Sequence, residues 1–194
     1  MSPRHPFEWL SASVQERALI VLLIITLVLM AGLNALGRPL QTEVAPWGIV
    51  SFEFAGNFTL AQRMVASWGH RGQVHAGLSL GLDYLFLVAY ASAIALGCVM
   101  VARRLSGRSE FLPLVGVVLA WAQFGAALLD CVENYALILI LLGSQQELWP
   151  VVARWCAMPK FLIVALGLVY IGVGFVLIVG EKIFSSRGGQ GMER

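Results

Sequence analysis

Four long apolar segments restrict the possible folds of this chain more than any other feature. They cover residues 18–36, 77–102, 113–142 and 159–184, so each has at least 19 residues. About 20 helical residues cross the roughly 30 Å hydrocarbon core of a bilayer. Because unpaired backbone N–H and C=O groups are not tolerated in lipid, each segment is predicted to be a membrane-spanning helix.

Composition supports this interpretation and excludes several protein classes. Of the 194 residues, 59% are hydrophobic and 12% are charged, whereas soluble domains have about 45–50% and about 25%. A soluble enzyme fold and a disordered chain are therefore excluded. A net charge of +2 is too weak for nucleic-acid binding. We predict an all-α fold in which residues 1–184 form one transmembrane domain, a four-helix bundle. The helices are expected at about 14–36, 77–102, 113–142 and 159–184, and a flexible tail follows at 185–194.

Basic residues predict the orientation of the bundle. The N-terminus, the connection after the second helix and the tail carry eight, and the other two connections carry five. Because cytoplasmic loops are enriched in Lys and Arg, both termini are expected to be cytoplasmic. Arg103, Arg104 and Arg108 contribute most to this prediction, because they lie close together in a short loop.

The connection between the first two helices, residues 38–75, is named the cap here. It is too long for a simple link and is rich in large apolar side chains. Residues 47–54 partly alternate between apolar and polar, with Glu53 on the polar side, and a helical pattern begins near Thr59. We expect an amphipathic, outward-facing cap that covers the apolar last turns of the long third helix.

Three sequence segments together resemble one group of membrane proteins. They are PWGIVSFEFAG at 46–56, LDYLF at 82–86 and LDCVEN at 129–134. The combination resembles bacterial four-helix integral membrane proteins of unknown activity, over most of residues 18–180. The resemblance implies a bacterial inner membrane and carries no activity.

Three carboxyl groups lie within the predicted spans: Asp83, Asp130 and Glu133. A carboxylate costs about 2.5–3.5 kcal/mol at the bilayer centre on insertion scales. Their positions place all three in the outer half of the membrane. Asp130, Glu133 and Asn134 are one-turn neighbours on one helix.

Lys160 is a candidate partner for these acids, because it is predicted in the first turn of the fourth helix, where the helix dipole disfavours a cation. Glu53 and Arg63 are the candidates from the cap. The predicted ligand-binding set is therefore Asp83, Asp130, Glu133, Asn134, Lys160, Glu53 and Arg63.

These polar groups have three interpretations. They form a structural network that sets helix register, a ligand or proton site, or, on a weaker signal, a metal site with a cap histidine. No metal-binding motif is present, and no metal or cofactor is expected.

The expected function is binding of an amphipathic or lipid-like small molecule in an acidic pocket in the outer half of the membrane. The alternatives are a lipid- or isoprenoid-modifying enzyme with Asp130 or Glu133 as acid/base, a proton- or cation-coupled small transporter, and an accessory subunit. Membrane lipid, a second copy or a partner membrane protein are the expected partners.

Overall fold

The computed structural model describes residues 4–189, with side chains for residues 4–180. Every regular element in this part of the chain is a helix. The helices are α1 (Ala12–Gly37), α2 (Ile49–Glu53), α3 (Phe58–Leu105), α4 (Phe111–Leu141) and α5 (Leu148–Gly189), with a 3-10 turn at Arg38–Leu40 between α1 and α2. α1, α3, α4 and α5 are long and apolar enough to cross a membrane. The predicted all-α, four-helix bundle is confirmed.

α3 lies at the centre of the bundle. It packs against α1, α4 and α5, and α4 also packs along α5. α1 packs against α3 and the 3-10 turn but shares no substantial interface with α5. Among its described residues only Gln15 is buried. The end of the bundle that carries the cap is called the cap end, and the opposite end carries the N-terminal segment and the α3–α4 connection.

Gly69 divides α3 into two helical parts, called here the first arm (residues 58–68) and the second arm (residues 70–105). Gly69 has φ 59° and ψ −178°, so the chain leaves helical geometry there and resumes it at once. The break frees carbonyl groups of the first arm, and the Gln73 side chain donates a hydrogen bond to the Val65 carbonyl at 3.1 Å. The first arm begins where the Asn57 side chain accepts a hydrogen bond from the Leu60 N–H at 2.8 Å. It belongs to the cap, and the second arm crosses the bundle.

The cap covers the last turns of α4, as the sequence predicts. Phe52, Met64 and Trp68 form one buried cluster with Leu137 and Ile140 of α4. The Trp68 indole donates a 2.7 Å hydrogen bond to the Leu40 carbonyl, which ties the first arm of α3 to the 3-10 turn. Burial of apolar surface therefore holds the cap against the bundle.

The alternating pattern at residues 47–54 does not form an extended segment. Residues Ile49–Glu53 form a single helical segment instead. Neighbouring residues in a helix are about 100° apart, so Phe52 and Glu53 are both buried. The prediction that Glu53 faces away from the apolar side of the cap is wrong for this reason.

The fourth spanning helix begins earlier than its proline suggests. Proline favours the first turn of a helix, but α5 begins at Leu148 and Pro159 lies inside it. Lys160 is therefore not in a first turn, and the argument from the helix dipole does not apply to it. α5 also continues to Gly189, past the predicted start of the tail at 185, and residues 190–194 lie outside the described part of the chain.

Substitution Gly69→Ala tests the break in α3. An added Cβ would meet no atom within 4 Å at Gly69 or at Gly81, but only Gly69 has a positive φ. We expect Gly69→Ala to cost about 1–3 kcal/mol of backbone strain, measured as a lower thermal unfolding midpoint. Gly81→Ala, in the regular part of α3, is the control and should raise stability by about 0.5–1 kcal/mol. Equal effects of the two substitutions would contradict a strained break at Gly69.

Candidate functional site

Lys160 of α5 lies at the centre of a buried ionic cluster. Its Nζ is 2.9 Å from Asp130 Oδ1 and contacts both carboxylate oxygens of Glu133, at 2.9 and 2.8 Å. Glu53 Oε2 of α2 lies 3.9 Å from the same nitrogen. Asp130 and Glu133 are one turn apart on α4, so a single cation bridges two carboxylates that would otherwise repel each other.

Two polar side chains extend the cluster between α3 and α4. The Tyr90 hydroxyl donates a hydrogen bond to Asp130 Oδ2 at 2.9 Å. The Asn134 amide donates to Asp83 Oδ2 at 2.6 Å. Both oxygens of Asp130 are thus engaged, one by Lys160 and one by Tyr90. The cluster joins α2, α3, α4 and α5.

The cluster contains more acid than base. Glu53, Asp83, Asp130 and Glu133 surround one lysine, and Glu133, Asp130 and Lys160 are 0%, 3% and 5% exposed. A buried ion pair offsets its desolvation only when the charges are closely paired. One ammonium cannot neutralise four carboxylates, so full ionisation leaves an excess negative charge in a low-dielectric environment. Protons or a cationic group are needed to balance it.

Glu53 shows the consequence of this excess. Burial raises the pKa of the Glu53 carboxyl to about 7, because the ionised form loses its water. Lys160 opposes this increase, and the carboxylates of Asp130 and Asp83 add to it. The Glu53 carboxyl therefore exchanges its proton near neutral pH.

A cavity of about 1010 Å³ opens beside the cluster, between α1, α3 and α5. Its α1 wall is a regular stripe at three- and four-residue spacing: Leu19, Leu23, Thr26, Met30, Leu33 and Gly37. At 1.5 Å per residue this stripe is about 27 Å long, close to the roughly 30 Å of a hydrocarbon core. The cavity thus runs along most of the bundle.

The lining of the cavity changes from polar to apolar along its length. Its cap end carries Asn34, Arg38, Gln41, Glu53, Asp83 and Lys160. Towards the opposite end its described lining is apolar: Ala93, Ile94 and Gly97 of α3 and Val164, Leu168 and Ile171 of α5. The cavity therefore has one charged end and one long apolar end.

The structure brings together six of the seven predicted site residues. Asp83, Asp130, Asn134, Lys160 and Glu53 line the cavity. Glu133 is fully enclosed and reaches the cavity only through Lys160. The seventh, Arg63, is exposed on the first arm of α3 and lies outside the cavity lining. The helical period places its neighbours Met64 and Ala61, rather than Arg63, against the bundle.

Two of the cavity residues outside the predicted set, Tyr90 and Arg38, bear on the chemistry of the site. Tyr90 lies seven residues, or about two turns, after Asp83, and that spacing on one helix is the signal that could have identified it. Arg38 directly follows α1 and lines the cavity at its cap end. A basic residue at the end of an apolar segment normally indicates only a membrane boundary, so sequence alone gave Arg38 no role.

Metal-ligand geometry is not found in the described residues: no group of three or more His, Cys, Asp or Glu side chains there could hold an ion.

Comparisons with known proteins add no assignment. No protein-family model matches the chain, and neither a curated protein nor a solved structure is significantly similar to it. The resemblance to bacterial four-helix membrane proteins stays a prediction.

The pKa of Glu53 makes stability depend on pH. Native Glu53 keeps its proton up to about pH 7, whereas the carboxyl in the unfolded chain loses it near pH 4.5. Stability therefore falls as pH rises through this window, by at most about 3 kcal/mol. Glu53→Gln, which mimics the protonated form, should remove this loss, so that its thermal midpoint falls less than wild type between pH 5 and pH 8. Exposed Glu43 of the cap supplies the control, Glu43→Gln. Parallel pH profiles for Glu53→Gln and wild type would contradict the prediction.

Lys160→Met tests the ion cluster itself. Removing the ammonium leaves Asp130 and Glu133 buried without a counter-charge, which should cost about 3–5 kcal/mol of the free energy of unfolding. Adding Glu133→Gln to Lys160→Met should recover part of that loss, because one uncompensated carboxylate disappears. Leu162→Met, at a largely exposed neighbouring position, is the control. A Lys160→Met protein as stable as wild type would show that the charges are not paired.

Proposed function

We propose that this protein binds an amphipathic, lipid-like molecule inside the membrane. The polar end of the bound molecule lies beside Glu53, Asp83, Asp130 and Lys160, and its apolar part lies along the α1 stripe. The observation that carries the proposal is the polarity of the cavity, charged at one end and apolar over the rest of its length. This is the polarity of a membrane lipid aligned with the helices. Ligand pockets typically measure about 300–1,000 Å³, so the cavity is large enough for such a molecule.

The route of entry follows from the position of α1. α1 and α5 both line the cavity but share no substantial interface. α1 is held to α3 at its start, where Arg103 Nη1 donates to Gln15 Oε1 at 2.7 Å. A ligand therefore reaches the cavity laterally, between α1 and α5, without leaving the bilayer.

The proposed location is a bacterial inner membrane with both termini in the cytoplasm. The positive-inside rule supports this orientation, because Arg103, Arg104 and Arg108 lie at the end opposite the cap. The charged end of the cavity is then in the outer half of the membrane, under a periplasmic cap.

A lipid-modifying enzyme is the second candidate function. It is favoured by the hydrogen bond from Tyr90 to Asp130, since both side chains line the cavity. In this case Asp130 is the acid/base, and Glu133 is a positioning residue because it is fully enclosed. Loss of lipid turnover in Asp130→Asn, with lipid binding retained, would separate catalysis from binding.

The other two alternatives have less support. A transporter needs a polar path to both sides, but within the described residues the lining beyond Thr26 and Tyr90 is apolar. An accessory role, or assembly with a second copy, remains an expectation based on the exposed apolar faces of the long helices.

Two tryptophan substitutions on α1 test the proposed binding. Leu23 lines the cavity and Leu27, one turn later on the same helix, does not, although both are about half exposed. We expect Leu23→Trp to obstruct the apolar part of the cavity. Overpacking of about 1–3 kcal/mol corresponds to lipid binding that is weaker by roughly fivefold to 150-fold. Leu27→Trp should bind like wild type.

The measurement is native mass spectrometry of gently purified protein, followed by titration of delipidated protein with added lipid. Retained lipid in wild type and Leu27→Trp but not in Leu23→Trp supports the proposal. If wild type neither retains nor takes up lipid, or if Leu23→Trp binds as well as wild type, the proposal is wrong.

A further inference from the structure

Arg38 lines the charged end of the cavity and has no carboxylate partner among the described side chains. Its side chain is exposed at the junction of α1 and the cap. Although Glu53 and Asp83 line the same cavity, Arg38 forms no ion pair within the described part of the chain. A guanidinium offers a planar fork of donors that matches phosphate geometry. Arg38 is therefore available to an anionic group that enters the cavity.

The acidic side of the same cavity favours a cationic group, whereas Arg38 favours an anionic one. Lys160 is already engaged by Asp130 and Glu133. Among residues 4–180, Glu53 and Asp83 form no ion pair with an arginine, and the one cation near Glu53 is Lys160 at 3.9 Å. This wall has excess negative charge and favours a cationic group.

Glu53 is the most specific indication that a ligand completes this wall. The residue is 8% exposed and lines the cavity, while its Oε2 is enclosed 3.9 Å from Lys160 Nζ. A ligand therefore meets Glu53 through its other carboxylate oxygen, Oε1. A ligand ammonium at this position would donate a hydrogen bond to Oε1 and add positive charge to a cluster that has too little.

Building on the proposed function, we propose that the ligand carries a zwitterionic headgroup, with a phosphate that Arg38 binds and a primary ammonium that Glu53 and Asp83 bind. The cavity then holds both charges of an aminoalkyl phosphate lipid at its cap end and the acyl part along α1. Each headgroup charge meets an opposite charge, and the headgroup is neutral overall.

A carboxylate oxygen of Glu53 at the cavity favours a primary ammonium over a quaternary one. A primary ammonium donates up to three hydrogen bonds, whereas a quaternary ammonium has no N–H to donate. An anionic lipid with a hydroxylated headgroup could use Arg38 but would offer no positive charge to the acidic wall. The three headgroup classes are therefore distinguishable by affinity.

The test titrates delipidated protein at pH 8, where Glu53, with a pKa raised by burial to about 7, is ionised. The lipids are phosphatidylethanolamine, phosphatidylcholine and phosphatidylglycerol of identical acyl chains. Each charge-assisted hydrogen bond should change affinity about tenfold. Wild type should therefore bind phosphatidylethanolamine about tenfold more tightly than either of the others. Glu53→Gln should lower the affinity for phosphatidylethanolamine by a larger factor than the affinity for phosphatidylcholine, because only the primary ammonium donates hydrogen bonds to Glu53.

Arg38→Gln should weaken the binding of all three lipids by the same factor, because all three contain the phosphate that Arg38 binds. The matched control is Arg17→Gln, which removes an exposed arginine at the other end of α1 and should leave all three affinities unchanged. Binding of all three lipids with equal affinity would overturn the headgroup assignment and leave the proposed function intact. Absence of any lipid binding would instead overturn the proposed function.

Discussion

The pairing of one buried lysine with two buried carboxylates is the interaction on which the rest of this structure depends. Lys160 cannot lie inside an apolar bundle unless Asp130 and Glu133 reach it, and without its ammonium the two carboxylates would be buried with no counter-charge. The pairing therefore fixes how far α5 can slide along α4. Tyr90 adds α3 to the same register through Asp130, and Glu53 brings α2 of the cap to the ammonium.

The cavity exists because α1 takes no part in this network. α1 brings no charged side chain to the cluster and packs against α3 rather than α5. A gap remains between α1 and α5, and the cluster forms the polar wall of that gap at the cap end. The same charges thus stabilise the bundle and give the cavity its polarity. Structural and ligand-binding interpretations of the acids are compatible, because Glu133 faces Lys160 while Glu53 and Asp83 face the cavity.

Sequence patterns were informative where one physical rule dominated. The length of the apolar segments predicted the four spanning helices, and the apolar last turns of α4 predicted a cover of large apolar cap residues such as Phe52 and Trp68. The patterns misled where two rules compete. Pro159 resembles a helix start, yet it lies inside α5, because interior prolines are tolerated in membrane helices. Apparent alternation near Glu53 is equally compatible with one helical turn, and only tertiary packing distinguishes the two.

By itself, the sequence determined that this chain forms helices long enough to cross a membrane and that its acids in those helices need partners, since both follow from the cost of placing polar groups in hydrocarbon. It also indicated Lys160 as a partner, but from the helix dipole. That argument does not apply, because Pro159 and Lys160 lie inside α5 rather than in its first turn. Only the tertiary structure decided that Glu133 is enclosed whereas Asp130 lines a cavity, and that Arg38 rather than Arg63 lies at its charged end. These outcomes depend on which helices pack together, and helix contacts in the membrane are set by side-chain shape and hydrogen bonding rather than by hydropathy.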